Sequence, residues 1–298
     1  MTPFADYLRV SVPATGFPSL RDDLAADVLA HFGTDASADY TPLPGTDGAV
    51  VVFGKRAGVG YVSFPGQCLT ALRAENLYGN LLAVLMCRPH RVTRLDATLD
   101  LSGVAVEPFC RALYARGRSG AVRLTRKAVQ PSACSFFESV APDNTSSCTV
   151  YLGHRRQTRI TVYDKARERW IKAGIPPEGE LMRIEAQCRS EIRMTLADAF
   201  EPSALFWHLA APDVYAAPAG VPSWKPHGDG FAMDKVPTPL PAARAKRLCS
   251  VSEDLALLGR IAADMGEADG LALVKRWAGQ RIEHAYMTEK QSRLLRAS

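Results

Sequence analysis

An α+β fold built on an antiparallel sheet, with covering helices on one face and a C-terminal helical tail, is what this sequence predicts. Three observations predict it. The strand-like runs alternate apolar and polar residues, as strands with one solvated face do, instead of staying apolar throughout. They fill the first two thirds of the chain and are interleaved with only a few helical segments. They are also rich in β-branched and aromatic residues and punctuated by glycine.

YLRVSV, Tyr7 to Val12, is the first strand, and AVVVFGK and VGYVSF are a pair folded about Gly58. Between them SLRDDLAADVLAHFG reads as a helix with Ser19 as its N-cap and Gly33 at its end, because Leu20, Leu24, Val28 and Leu29 form an apolar stripe. A second helix is expected from Leu69 to Met86. Pro89 leads into the strand RVTRLDATLDLSG, and a third helix runs from Glu107 or Pro108 to about Ala115. TVYLG, HRRQT and RITVYDK then read as a hairpin with a cation-crowded loop, and ELMRIEAQCRSEIR supplies another strand. From Ala211 to Arg247, Pro212, Pro218, Pro222, Pro226, Pro237, Pro239 and Pro241 mark a linker or wrapping segment. VSEDLALLGRIAADMG and ADGLALVKRWAGQRIEHAYM beyond it are helical by period. The expected organisation is therefore a first domain over 1–201, a proline-rich segment over 202–247 and a small helical region over 248–298.

A chain of 298 residues, 47% hydrophobic and 22% charged, is long enough to bury a substantial core and has an ordinary globular composition. No apolar run approaches the roughly 20 residues that span a bilayer, and MTPFADYLRV lacks the features of a secretory signal, so no membrane partner and a cytoplasmic location are expected. The seven cysteines are odd in number, scattered and never spaced as CxxC, which points to reduced, buried thiols and not to disulfides or zinc. Net charge is only +5 but is unevenly placed. Arg111, Arg116, Arg118, Arg123, Arg126 and Lys127 fall in a stretch free of acids, and Arg155, Arg156, Arg159, Lys165, Arg167, Arg169 and Lys172 form a second block. Such blocks suit a polyanion, since each phosphate neutralised releases counterions; a solvated basic face is the alternative.

Three strands share one asymmetry. In TRLDATLD, Leu95, Ala97 and Leu99 face one way and Arg94, Asp96, Thr98 and Asp100 the other. In MRIEAQCR, Met182, Ile184, Ala186 and Cys188 oppose Arg183, Glu185 and Gln187. In RITVYDK the polar side carries Arg159, Thr161, Tyr163 and Lys165. If these faces converge in one sheet, the acids Asp96, Glu185 and Asp100 offer an oxygen-only site suited to Mg²⁺ or Mn²⁺. Tyr163 could then attack phosphorus while Lys165 and arginines neutralise charge. Cross-strand ion pairing worth roughly 0.2–1 kcal/mol per pair is the structural alternative, and on the residues alone both stay open. Tyr151 is a rival nucleophile, read as packing or as stacking against a base. His154 sits in the loop, where solvent or phosphate contact is expected before metal ligation.

The ordered set TRLDATLD, TVYLGHRRQTRITVYDK and MRIEAQCR resembles the replication initiation factor family of rolling-circle initiators, found in filamentous phages, small plasmids and related conjugative elements. YVSFPGQCLTAL and DYLRVSV are similar to that family's upstream strands, so the resemblance covers roughly Asp6 to Arg193. It implies a palm-like antiparallel sheet, similar to that of rolling-circle nucleases, and a site-specific nicking and joining activity that starts rolling-circle replication. By the same resemblance Tyr163 matches the nucleophile that keeps the 5′ phosphate and frees a 3′ hydroxyl. Asp96 and Glu185 match the metal-binding acids, with Asp100 a further position, and Lys165 and Arg155 match basic positions near the scissile phosphate. Arg94, Arg156, Arg183 and the segment from Arg116 to Lys127 join them as DNA-binding positions. The implied partners are an origin as single strand or hairpin, a host polymerase and helicase, and a second copy in a homodimer, in the cytoplasm of a bacterial host. Gln157 and Thr158 depart from the pattern, which often has serine there. A conjugative relaxase shares the chemistry, and a DNA-binding regulator without catalysis shares the fold.

Overall fold

The computed structural model describes residues 2–34, 38–46, 48–56, 59–124, 127–140, 146–190, 192–209, 214, 242–266 and 268–279. The strands are β1 (Phe4–Pro13), β2 (Tyr40–Pro42), β3 (Val50–Arg56), β4 (Val59–Pro65), β5 (Arg91–Ser102), the short β6 (Arg123–Leu124) and β7 (Lys127–Ala128), β8 (Cys134–Val140), β9 (Ser146–Leu152), β10 (Arg159–Asp164) and β11 (Leu181–Arg189). The helices are α1 (Phe17–Leu24), α2 (Gly66–Ala74), α3 (Tyr78–Met86), α4 (Val106–Arg118), α5 (Lys165–Ala173), α6 (Leu196–Phe200), α7 (Ser203–Leu209) and α8 (Ala242–Met265). This is the α+β class with antiparallel pairing that the alternating runs predict. Most of the proline-rich segment lies outside the described residues. Among the described residues no helix is long and apolar enough to cross a membrane.

The chain forms two compact units, one of residues 1–6, 94–194 and 201–233, the other of residues 7–93, 195–200 and 234–298. In the first, the strands run in the order β5-β11-β10-β9-β8, each neighbouring pair antiparallel, with the start of β1 beside β5. One face of this sheet is apolar because of the alternation in its strands: Leu95, Leu99, Ile184, Ala186, Val162 and Val150 point inward and are at most 1% exposed. Helix α4 covers that face with Phe109, Cys110 and Leu113, each bulky apolar side chain contributing roughly 1.5–3 kcal/mol by leaving water. Gly117 marks where the helix comes closest: a Cβ there would lie 2.8 Å from both Cys134 Sγ and Leu152 Cδ2.

The second unit pairs β2-β3-β4-β1, again antiparallel. Its core is built from Leu8, Val10, Phe53, Val62 and Phe64 on strands and from Leu69, Leu72, Leu81 and Leu85 on α2 and α3. Two local expectations are corrected. Helix α1 starts at Phe17 with Pro18 in its first turn, so Ser19 is inside it, its hydroxyl donating to the Gly16 carbonyl at 3.2 Å, and does not act as N-cap. The helix continues as a π turn over Ala25–Leu29 and a 3₁₀ turn to Gly33, whose φ of 65° stops it as expected. The single helix expected from Leu69 to Met86 is two, broken at Asn76, whose φ of 57° is left-handed.

Cys68, Cys87, Cys110, Cys134, Cys148 and Cys188 are buried and outside any disulfide, in line with the reduced thiols expected; the side chain of Cys249 lies outside the described residues.

Candidate active site

The antiparallel register decides which polar side chains meet. Asp96 stands opposite Gln187, which stands opposite Arg159. In the next row Thr98, Glu185, Thr161, Tyr151 and Ser135 follow one another across β5, β11, β10, β9 and β8. Asp100, Arg183, Tyr163, Thr149 and Phe137 make the third row. Since strands lie about 4.8 Å apart, these rows put the acids, the arginines and the tyrosine on one patch, the convergence that the three alternating runs predict.

Within the patch the contacts are specific. The Tyr163 hydroxyl donates to Glu185 Oε1 at 2.6 Å. Burial, and then the charge of Glu185, pushes the Tyr163 phenol well above the usual tyrosine range, so it stays protonated in the absence of substrate. The Arg183 guanidinium forks onto Asp100, with Nε to Oδ1 at 2.6 Å and Nη2 to Oδ2 at 2.7 Å, and its Nη1 reaches Asp6 Oδ2 at 3.0 Å. Burial works against the charged guanidinium, but those hydrogen bonds and the Asp6 charge outweigh it and hold Arg183 firmly protonated. Arg94 grips Asp96 with Nε at 2.8 Å from Oδ1 and Nη2 on Oδ2. Arg159 Nε donates to Gln187 Oε1 at 2.6 Å, and its guanidinium lies over the Tyr151 ring at 4.6 Å.

Asp6 is the residue that sequence reasoning missed. It is the first residue of DYLRVSV, and burial pushes its carboxyl up to about 6, with Arg183 opposing and Glu185 and Asp96 adding to the rise. Asp96 is likewise raised by burial, which Arg94 offsets only in part. The signal available was an acid at the start of a strand, but the alternation changes phase there: Ala5 and Leu8 are both buried, so Asp6 does not share the period of Tyr7 to Val12.

Lys165 is not on the strand. β10 ends at Asp164, which caps α5 by accepting the Arg167 N–H on Oδ1 at 3.0 Å, and Lys165 is the first helical residue. Its ammonium pairs with Glu168 at 2.7 Å and sits 5.7 Å from the centre of the Tyr163 ring. Arg155, Arg156 and His154 are exposed in the turn between β9 and β10. Gly153 opens that turn with φ 108°, where a Cβ would come within 2.9 Å of the Thr158 carbonyl oxygen. Thr158 accepts the Arg189 N–H at 3.2 Å and so pins the turn to β11.

The other basic block is placed differently. Arg116 and Arg118 belong to α4, on the face of the sheet opposite Tyr163, and Arg118 donates to the Pro131 carbonyl at 2.9 Å. Arg123 is exposed on β6; Arg126 lies outside the described residues, as does the side chain of Lys127 in β7.

No protein-family model and no curated protein matches this chain. The chemistry must therefore be read from its own side chains.

As they stand, no three carboxylate, imidazole or thiol groups among the described residues are gathered closely enough to hold a metal ion. Asp96 and Asp100 each give both oxygens to an arginine. The electrostatics nevertheless fit a hard cation. Asp96 is buried and Asp6 half-buried, and both carboxyls are raised in part by the charge of Glu185, so an added positive charge between them would relieve all three. Beside Glu185 on both neighbouring strands, the hydroxyls of Thr98 and Thr161 are buried without a hydrogen-bond partner, leaving two further oxygen donors unused on the patch.

Proposed function

We propose that this protein is a DNA nicking and joining enzyme of the rolling-circle initiator type, using Tyr163 as its nucleophile. The observation that carries the reading is the Tyr163–Glu185 hydrogen bond of 2.6 Å on a patch that also holds Arg159, Lys165 and the acids Asp6 and Asp96. A half-buried phenol held protonated is a poor nucleophile until a base removes its proton, and Glu185 is already in place to do so. As the Tyr163 oxygen forms its bond to phosphorus, its proton passes to Glu185. The bond from phosphorus to the 3′ oxygen breaks with its electron pair going to that oxygen, which takes a proton from solvent, giving a 5′-phosphotyrosine and a free 3′ hydroxyl. Rejoining is the same path reversed, with a 3′ hydroxyl attacking the phosphotyrosine.

Asp6, Asp96 and Glu185 would hold Mg²⁺ or Mn²⁺, which when bound supplies Lewis-acid polarisation of a phosphoryl oxygen. Arg159 and the exposed Arg155 and Arg156 neutralise the phosphates on either side of the reacting one. Lys165 adds positive charge beside the tyrosine ring, though shared with Glu168. Asp100 is assigned a different part from the one the resemblance implies: it fixes Arg183 beside Tyr163 in the same row. The palm-like character of the sheet, an origin as substrate, a host polymerase and helicase, and action as a homodimer belong to the same reading. A conjugative relaxase would use identical chemistry, and gene neighbours separate the two.

A second reading has one observation in its favour. The bidentate pairs Arg94–Asp96 and Arg183–Asp100 are what a DNA-binding regulator without catalysis would keep as structural ion pairs. Tyr163→Phe separates the two. Cleavage of a supercoiled origin plasmid in Mg²⁺ or Mn²⁺ should disappear while DNA binding persists; a variant that still nicks removes Tyr163 from the chemistry.

A further inference from the structure

The polar face has two zones, and the nicking chemistry uses the acidic one together with Tyr163 and Arg159 on β10 at its border, leaving β9 and β8 unassigned. Its carboxylates, Asp6, Asp96, Asp100 and Glu185, all lie on β1, β5 and β11. On β10, β9 and β8 the same face carries no carboxylate: beyond Tyr163 and Arg159 the rows place Thr161, Tyr151, Thr149, Phe137 and Ser135 there. Glu138, the acid of β8, points to the other side, where it pairs with Arg111 of α4.

Across this acid-free zone runs a ladder of flat groups. The Arg159 guanidinium lies 4.6 Å over the Tyr151 ring, and Tyr151 meets Phe137 edge to face with ring centres 5.6 Å apart. The ladder ends in solvent: Phe137 is 58% exposed on β8, the last strand in the order. Phe136, its neighbour, packs against Tyr114 of α4 and has its reason to be aromatic in the core layer. Phe137 has none of that kind. An exposed aromatic ring next to a second aromatic ring and an arginine, with no acid on the face and Arg155 and Arg156 on the turn above, is what a nucleobase and its phosphate would require.

We infer that Phe137 and Tyr151 form a stacking platform for unpaired bases of the DNA strand flanking the reacting phosphate. This rests on the function proposed above and assigns the side chains that would hold the single strand there. The span fits: Phe137 is two strands from Tyr163 in the same row, about 10 Å, which at roughly 3.4 Å or more per nucleotide is three nucleotides or fewer. Bases inside a duplex present only their edges, so the platform selects melted or hairpin-loop DNA.

The test uses full-length protein carrying Tyr163→Phe, so that no cleavage is needed, and a mixed-sequence single-stranded 20-mer containing 2-aminopurine, beside the matching duplex. The single strand should bind with a change in 2-aminopurine fluorescence that reports stacking. Adding Phe137→Ala should weaken single-strand binding about tenfold and abolish that signal, with less than a twofold effect on the duplex. Phe137→Trp should restore both. Single-strand binding unchanged by Phe137→Ala overturns the platform while leaving the nicking reading intact, and an equal loss on both DNAs does the same. If Phe137→Ala instead turns a dimer into a monomer in sedimentation with DNA affinity unchanged, the surface is a self-association site and the inference fails. A parent protein that binds neither DNA overturns both the platform and the function on which it rests.

Discussion

Replacing Asp6 by asparagine should make the protein more stable at neutral pH, although Asp6 is in an ion pair. Its carboxyl contacts Arg183 at 3.0 Å, which taken alone would predict a loss. Burial outweighs that contact and lifts the carboxyl from 3.8 to about 6, with Glu185 and Asp96 adding to the rise. Between those two values the folded protein holds a proton that the unfolded chain has released. Wild-type stability therefore falls as pH rises from about 4 to about 6 and is level above, by linkage. A rise of that size is worth roughly 3 kcal/mol at most. Asparagine resembles the protonated acid at every pH and removes this slope. Arg183 keeps its fork on Asp100, so it is not left without a carboxylate. Urea denaturation in EDTA at pH 4.5 and 7.5 measures the difference: Asp6→Asn should be only about 1 kcal/mol more stable than wild type at the lower pH and roughly 2–3 kcal/mol more stable at the higher. A variant less stable than wild type at pH 7.5 would show that the ion pair dominates and that the acids on this face are not under mutual repulsion.

Other outcomes follow from the same patch. Arg183→Met leaves the half-buried Asp6 and Asp100 without their arginine and should cost about 2–4 kcal/mol of stability, part of it recovered when Asp100→Asn is added. Gly153→Ala forces a side chain into a left-handed position against the Thr158 carbonyl and should cost about 1–3 kcal/mol in thermal or urea unfolding. Mn²⁺ should raise the melting temperature more at pH 7.5 than at pH 5.5, because Asp6 must lose its proton to accept a cation, and Glu185→Gln should abolish the gain at both. A melting temperature equally raised by Mn²⁺ in the Glu185→Gln variant would place the ion elsewhere.

The shared polar face is legible in the sequence because a strand's period of two needs no partner to be read: RLDATLD, MRIEAQC and RITVY each announce their two sides. What the sequence does not contain is register. Only pairing shows that Glu185 stands between Thr98 and Thr161 and that Arg183 answers Asp100, which gives one expected metal position an arginine partner and leaves Glu185 to accept the tyrosine's hydrogen bond. Lys165 is misplaced by pattern alone because the strand reading runs on into DKARERW, where Asp164 is a helix cap and the period changes. Asp6 escapes because the alternation of β1 breaks at that residue. The helix break at Asn76 is hidden because apolar residues on either side keep a helical spacing, while a left-handed backbone position leaves only an asparagine as its trace.

The most direct test of the nicking chemistry is capture of the protein–DNA adduct. Full-length protein incubated in Mg²⁺ or Mn²⁺ with single-stranded and hairpin fragments of its candidate origin, then quenched and digested, should yield one DNA-linked peptide containing Tyr163, and Glu185→Gln should reduce its yield steeply. An adduct on Tyr151 or another residue, or cleavage that leaves no protein-linked 5′ phosphate, would contradict the assignment of Tyr163 as nucleophile.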